Sequence, residues 1–157
     1  MRPAIALLCV VFLSACGPGA NERSGGDHQR SAAVEIPLGG LVSDRVSEDD
    51  GDATDWKKFT VPRETEVNVF VHWDEKDVDA RVELRDRYGE LLKKADHKEG
   101  DSSDLLTVPL VPGDYYVSIH AEDGGSVYSL ETSTGRFVVP AGAPGKMLRP
   151  GEAPRPE

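Results

Sequence analysis

The sequence predicts an all-β fold: an antiparallel β-sandwich of jelly-roll-like form with seven or eight short strands, set between a flexible N-terminal tether and a disordered C-terminal tail. Three observations predict it. Apolar and polar residues alternate with a period of two through the middle of the chain, turn-forming Gly, Pro and Asp clusters separate these runs, and no stretch carries the 3.6-residue apolar period of a helix. The 157 residues include 16 Gly and 11 Pro, a length that suits one domain.

The chain opens with Arg2, an apolar run from Ala4 to Phe12, and Leu13-Ser14-Ala15-Cys16. This order is that of an export signal, and its last four residues resemble the lipobox of bacterial lipoproteins. Residues 1–15 are therefore expected to be removed by cleavage between Ala15 and Cys16. The small residues before the cysteine admit a peptidase, and the Cys16 thiol takes a diacylglyceryl group. An apolar run of about twelve residues is too short for a span of about twenty. Two or three acyl chains hold far more firmly than one. Gly17 rather than Asp after the cysteine resembles the sorting pattern for the outer membrane of a Gram-negative bacterium.

Residues 16–33 have Gly, Ser and charge without apolar periodicity and read as a flexible tether with a reach on the order of 20 Å. Residues 34–138 are the expected domain. Leu41 to Val46 reads as a first strand and Trp56 to Val61 as a second, stopped by Pro62. Val67, Val69, Val71 and Trp73 then share one face opposite Asn68, Phe70 and His72, and Val78, Ala80, Val82 and Leu84 alternate with Asp79, Arg81, Glu83 and Arg85. Such alternation marks a sheet with one dry and one wet face. Asp86 to Gly89 reads as a turn leading to a short Leu91-Leu92 strand, and Ala95 to Asp104 as a polar loop. Leu106, Val108 and Leu110, then Tyr115, Val117 and Ile119, then Tyr128 and Leu130 supply the last strands, with a hairpin turn at Asp123-Gly124-Gly125. Residues 139–157 are rich in Pro and Gly and cannot form a core.

The same residues resemble the bacterial pre-peptidase C-terminal domain, a β-sandwich often appended to secreted proteases. Gly51-Asp52 followed by Asp55-Trp56-Lys57-Lys58-Phe59-Thr60-Val61 is similar to one family motif. Val78-Asp79-Ala80-Arg81-Val82-Glu83-Leu84, Asp86-x-x-Gly89, Pro112-Gly113-Asp114-Tyr115-Tyr116-Val117 and Ser126-Val127-Tyr128-Ser129-Leu130 follow in the family's order. The resemblance spans about residues 38–132. The sequence holds no peptidase domain, so an accessory role to a peptidase does not simply carry over, and Ala80 stands at a position that is larger in the family.

The formal net charge of −10 repels phosphate backbones, so nucleic acid is not an expected partner. Lys57-Lys58 and Lys93-Lys94 read as solvated strand faces. With Cys9 in the signal and Cys16 at its end, no cysteine remains for an internal disulfide. No nucleophile elbow, His-Glu-x-x-His or phosphate loop occurs, so a non-catalytic module is expected, with no cofactor beyond the lipid on Cys16. His72 and His120 read as structural residues on strand faces, and His28 and His97 fall in loops. Calcium is the one metal worth testing, because it takes six to eight oxygen ligands. Its candidate ligands are Asp49, Asp50, Asp52, Asp55, Asp77 and Asp79, and the resemblance adds that some family members bind calcium around such segments. The expected function is a membrane-anchored binding or structural module of the cell envelope that takes a protein or surface polymer, with His72, Tyr88 and Tyr116 as contact residues. An accessory subunit of a secreted enzyme and a calcium-stabilised adhesion component are the alternatives.

Overall fold

The computed structural model describes Gly19 and residues 21–135; the signal, Cys16 and the C-terminal tail lie outside the described residues. Among the described residues, a 3-10 turn at Arg30–Ala32 precedes nine strands: β1 (Val34–Glu35), β2 (Leu41–Ser47), β3 (Thr54–Val61), β4 (Thr65–Trp73), β5 (Asp79–Asp86), β6 (Leu91–Asp96), β7 (Ser103–Leu110), β8 (Gly113–Asp123) and β9 (Gly125–Thr134). They form a five-stranded sheet ordered β1-β3-β8-β5-β6 and a four-stranded sheet ordered β2-β9-β4-β7. These strands all pair antiparallel except β1 with β3.

The alternation in the sequence is what separates the two faces of each sheet. Val67, Val69, Val71 and Trp73 of β4 point into the core with Tyr128 and Leu130 of β9. Phe59 and Val61 of β3, Val82 and Leu84 of β5, and Val117 and Ile119 of β8 meet them from the other sheet. Ala80 is buried with them. The extra strand beyond the expected eight is β1, two residues too few to carry a period. The Leu91-Leu92 strand continues to Asp96, and both leucines are exposed because β6 is an edge. At Gly89, φ is +90°, as the turn between β5 and β6 requires.

One expectation is overturned. Part of the expected tether, residues 21–33, lies against the domain: the Arg23 N–H donates to the Gly51 carbonyl at 2.7 Å and the Trp56 N–H to the Asp27 carbonyl at 2.9 Å. Ser24 and Asp27 are buried. These polar residues make no apolar pattern, and they are held by hydrogen bonds and ion pairs that only the folded sheet offers.

The strand directions give the sandwich two ends. Loops 48–53, 74–78 and 97–102 and the β8–β9 hairpin tip at Glu122 to Gly124 gather at one end, stapled by Glu48 N–H to the Gly124 carbonyl at 2.9 Å and His97 N–H to the Ala80 carbonyl at 2.8 Å. Loops 62–64, 87–90 and 111–112 lie at the other.

Candidate functional site

Asp55, Lys57, Phe59 and Val61 fall on the inward side of β3, so the sandwich must enclose a carboxylate and an ammonium beside its apolar core. Lys57 is 1% exposed, and its Nζ donates to Asp27 Oδ2 at 2.7 Å and to Asp44 Oδ2 at 2.5 Å. Asp55 Oδ2 is 3.8 Å from the same ammonium and accepts a 2.6 Å hydrogen bond from the Tyr128 hydroxyl. Asp44 reaches the cluster because β2 pairs with β9 in a register that sets it opposite Tyr128. Asp27 arrives from the packed N-terminal segment. The expectation that Lys57 is a solvated strand residue is therefore wrong: consecutive strand residues face opposite ways, and of Lys57 and Lys58 only one can point to water.

The carboxylates of Asp27, Asp44 and Asp55 lie within 4.8 Å of one another, the one such acidic group of three among the described residues. The Lys57 ammonium supplies their counter-charge. Burial pushes the Asp55 carboxyl up to about 7; Tyr128 and Lys57 pull it down, while Asp27 and Asp44 push it further up. Burial also works against the charge on Lys57, but its hydrogen bonds to Asp27 and Asp44 outweigh that and hold the ammonium above its ordinary range. Asp52 is raised by burial and then by Asp27 and Asp44. The cluster floors a cleft of about 490 Å³ lined by Arg23, Ser24, Asp27, Asp44, Asp52 and Asp55. Chemically it is an internal cation ringed by acids, an arrangement that locks β2, β3, β9 and the N-terminal segment together.

The six acids expected around calcium are not gathered into one group. Asp55 belongs to the Lys57 cluster, Asp50 pairs with Arg45 at 2.5 Å, and Asp52 is half-buried at the mouth of the cleft. Asp49, Asp77 and Asp79 are exposed.

The three expected contact residues also separate. His72 lies on the outer face of the four-stranded sheet, edge-on to Phe70 with ring centroids 4.1 Å apart. Tyr116 lies on the outer face of the five-stranded sheet, half-buried, with the Arg30 guanidinium 5.6 Å from its ring centroid. Tyr88, at the β5–β6 turn, is 74% exposed. The Arg30 guanidinium also lies over Gly89, where a Cβ would come within 2.2 Å of Nη1.

His97, which carries no sequence pattern, is buried. Its Nδ1 donates to Asp104 Oδ2 at 2.9 Å, and the Trp73 indole N–H donates to the same oxygen at 2.7 Å. His120 Nδ1 and Thr54 Oγ1 are 2.8 Å apart across the β3–β8 pair, and His28 Nδ1 and Ser24 Oγ are 2.9 Å apart. No signal in the sequence marks Asp27 or Asp44 as partners of Lys57, but the period of β3 does mark Lys57 and Asp55 as inward.

Among solved structures, the chain is similar to the pre-peptidase C-terminal domain of a collagenase from Bacillus anthracis, at 18% identity and a TM-score of 0.56, over 64% of this chain and 93% of that one. This likeness is one of fold: an antiparallel β-sandwich similar to that domain. A carbohydrate-binding module of a Cellvibrio mixtus lichenase matches at 13% identity and a TM-score of 0.42, over 72% of this chain and 95% of that one. A periplasmic inhibitor of g-type lysozyme from Aeromonas hydrophila matches at 12% identity and a TM-score of 0.42, over 66% of this chain and 97% of that one. No family model and no curated protein matches the sequence.

Proposed function

We propose that the protein is a lipid-anchored, non-catalytic module of the cell envelope that binds a protein or a surface polymer. The observation that carries the binding role is the sandwich itself, whose likeness is to an appended domain of a collagenase. Its buried ionisable groups are engaged with one another in a structural lock, while Tyr88 stands in solvent. Leu13-Ser14-Ala15-Cys16 supports the anchor and Gly17 an outer-membrane destination. In cells fed an alkynyl palmitate, the wild type takes up label and stays with membranes, whereas Cys16→Ser does neither. Label-free wild type, or Cys16→Ser retained in the membrane fraction, overturns the anchor. Crosslinking in intact cells then captures the partner, and Tyr88→Ala is expected to lower the yield at unchanged stability. The likeness to a collagenase domain favours a second reading, an accessory subunit to a separate exported peptidase. Recovery of a peptidase as the crosslinked species supports that reading.

A further inference from the structure

The packed N-terminal segment changes what a lipid on Cys16 would hold. This inference rests on the anchor reading above. Among the described residues, the first backbone bond that ties the segment to the sandwich is the one from Arg23 to Gly51, and Gly51 lies in the 48–53 turn. Asp27, buried against Lys57, and Arg30, over Tyr116, continue the attachment. Arg23 stands only seven positions on from Cys16. Seven residues span at most about 25 Å, and the turn closed by the Glu22 N–H on the Gly19 carbonyl at 3.0 Å shortens that reach.

The two ends of the sandwich differ sharply in charge. Loops 48–53, 74–78 and 97–102 together with Glu122 and Asp123 at the end of β8 hold eleven of the chain's 28 acidic residues against two lysines, whereas loops 36–40, 62–64, 87–90 and 111–112 hold two acids and two arginines. The attachment point is on the acidic end. The balanced end carries exposed Tyr88 and Val111. It stands about 26 Å further along, the length of an eight-residue strand.

We propose that the N-terminal segment is a strap rather than a tether, and that lipidated protein stands with its acidic end toward the bilayer and its Tyr88 end directed away from it. Two physical effects combine. The stalk is shorter than the domain, so the Tyr88 end cannot turn down onto the lipid. Anionic headgroups repel the acidic loops within a Debye length of about 8 Å, which keeps the domain raised.

The test uses full-length lipidated protein in vesicles. Asp49→Cys and Tyr88→Cys place a single reactive thiol at either end, since both positions are exposed. A donor dye on that thiol and an acceptor on lipid headgroups report the distance of closest approach. The expected distance is about 25 Å shorter for the dye at 49 than for the dye at 88. Inserting about twenty Gly/Ser residues after Gly17 is expected to erase most of that difference. Protein that floats with vesicles but gives equal distances overturns the orientation and leaves the anchor intact. Protein that does not float overturns the anchor, and the orientation with it.

Discussion

Replacing Asp55 by asparagine isolates the energetic role of the buried cluster, because Asn keeps the carbonyl that accepts the Tyr128 hydroxyl while removing the titration. Burial lifts the Asp55 carboxyl from an ordinary 3.8 to about 7. The folded state therefore binds the proton more tightly than the unfolded state. The stability this group contributes is highest below pH 4, declines as pH rises towards 7, and levels off once both states are ionised. A tenfold difference in proton affinity between the two states is worth about 1.4 kcal/mol, so the decline between those limits is on the order of 4 kcal/mol. Asp52, also raised by burial, adds in the same direction. Asp50, Asp96 and Asp114 are lowered by their hydrogen bonds with Arg45, Lys94 and Lys58, and their contribution is lost only as the solution becomes more acid than about pH 4. They leave the window from about pH 5 to 7.5 unaffected. Urea unfolding of the unlipidated Cys16→Ser protein, followed by tryptophan fluorescence at half-unit steps across that window, measures the slope. The wild-type background is expected to lose stability steadily and Asp55→Asn to keep only the smaller slope that Asp52 contributes, so that the variant is the more stable of the two at the alkaline end. A wild-type stability that rises with pH, or a slope undiminished in Asp55→Asn, would falsify the account of the cluster.

Other perturbations test other parts of the structure. Lys57→Met leaves Asp27, Asp44 and Asp55 facing one another without their cation and is expected to destabilise by about 3–5 kcal/mol. Calcium is expected to raise the melting temperature of that variant, and chelation to leave the wild type unmoved; a wild-type melting temperature that drops in EDTA shows that a metal supports the native acids. Gly89→Ala places a side chain at a φ of +90° and displaces the Arg30 guanidinium, and is expected to destabilise by about 1–2 kcal/mol in thermal unfolding, chiefly through the backbone strain. Asp104→Ala strips the acceptor from two buried donors, on Trp73 and His97, and is expected to destabilise by about 2–4 kcal/mol with a shift in indole emission. Unchanged emission would place Trp73 in a different environment.

Most of the strand framework was legible in the chain because each β-strand writes its two environments into alternate residues; β5 and β9 do so most cleanly, while in β4 the polar Asn68 is buried beside Val67 and Val69. The limits of the strands were less so. β1 is too short to show a period, and β6 is an edge strand whose Leu91 and Leu92 meet water on both sides. The buried lysine was half legible. The run Asp55-x-Lys57-x-Phe59-x-Val61 requires Lys57 to turn inward if Phe59 does, but an inward ammonium can be tolerated only when acids from elsewhere in the chain meet it. Those acids, Asp27 and Asp44, lie 30 and 13 residues away in sequence, on a polar segment and an edge strand that say nothing of one another.

The sequence by itself determined the sandwich class, the inward and outward sets of most strands, and the Leu13-to-Cys16 motif. These are local matters, set by side-chain period and by short-range chemistry. Only the tertiary structure decided that the polar segment at residues 21–33 is fastened to the sheet, that the distant Asp27 and Asp44 join Asp55 around one ammonium, and that the acidic loops collect at the end where that segment is attached. Each depends on charges brought together by strand pairing. Electrostatic partners across a fold leave no periodic trace, because a single pair at 2.7 Å needs only the two right residues and the backbone that delivers them.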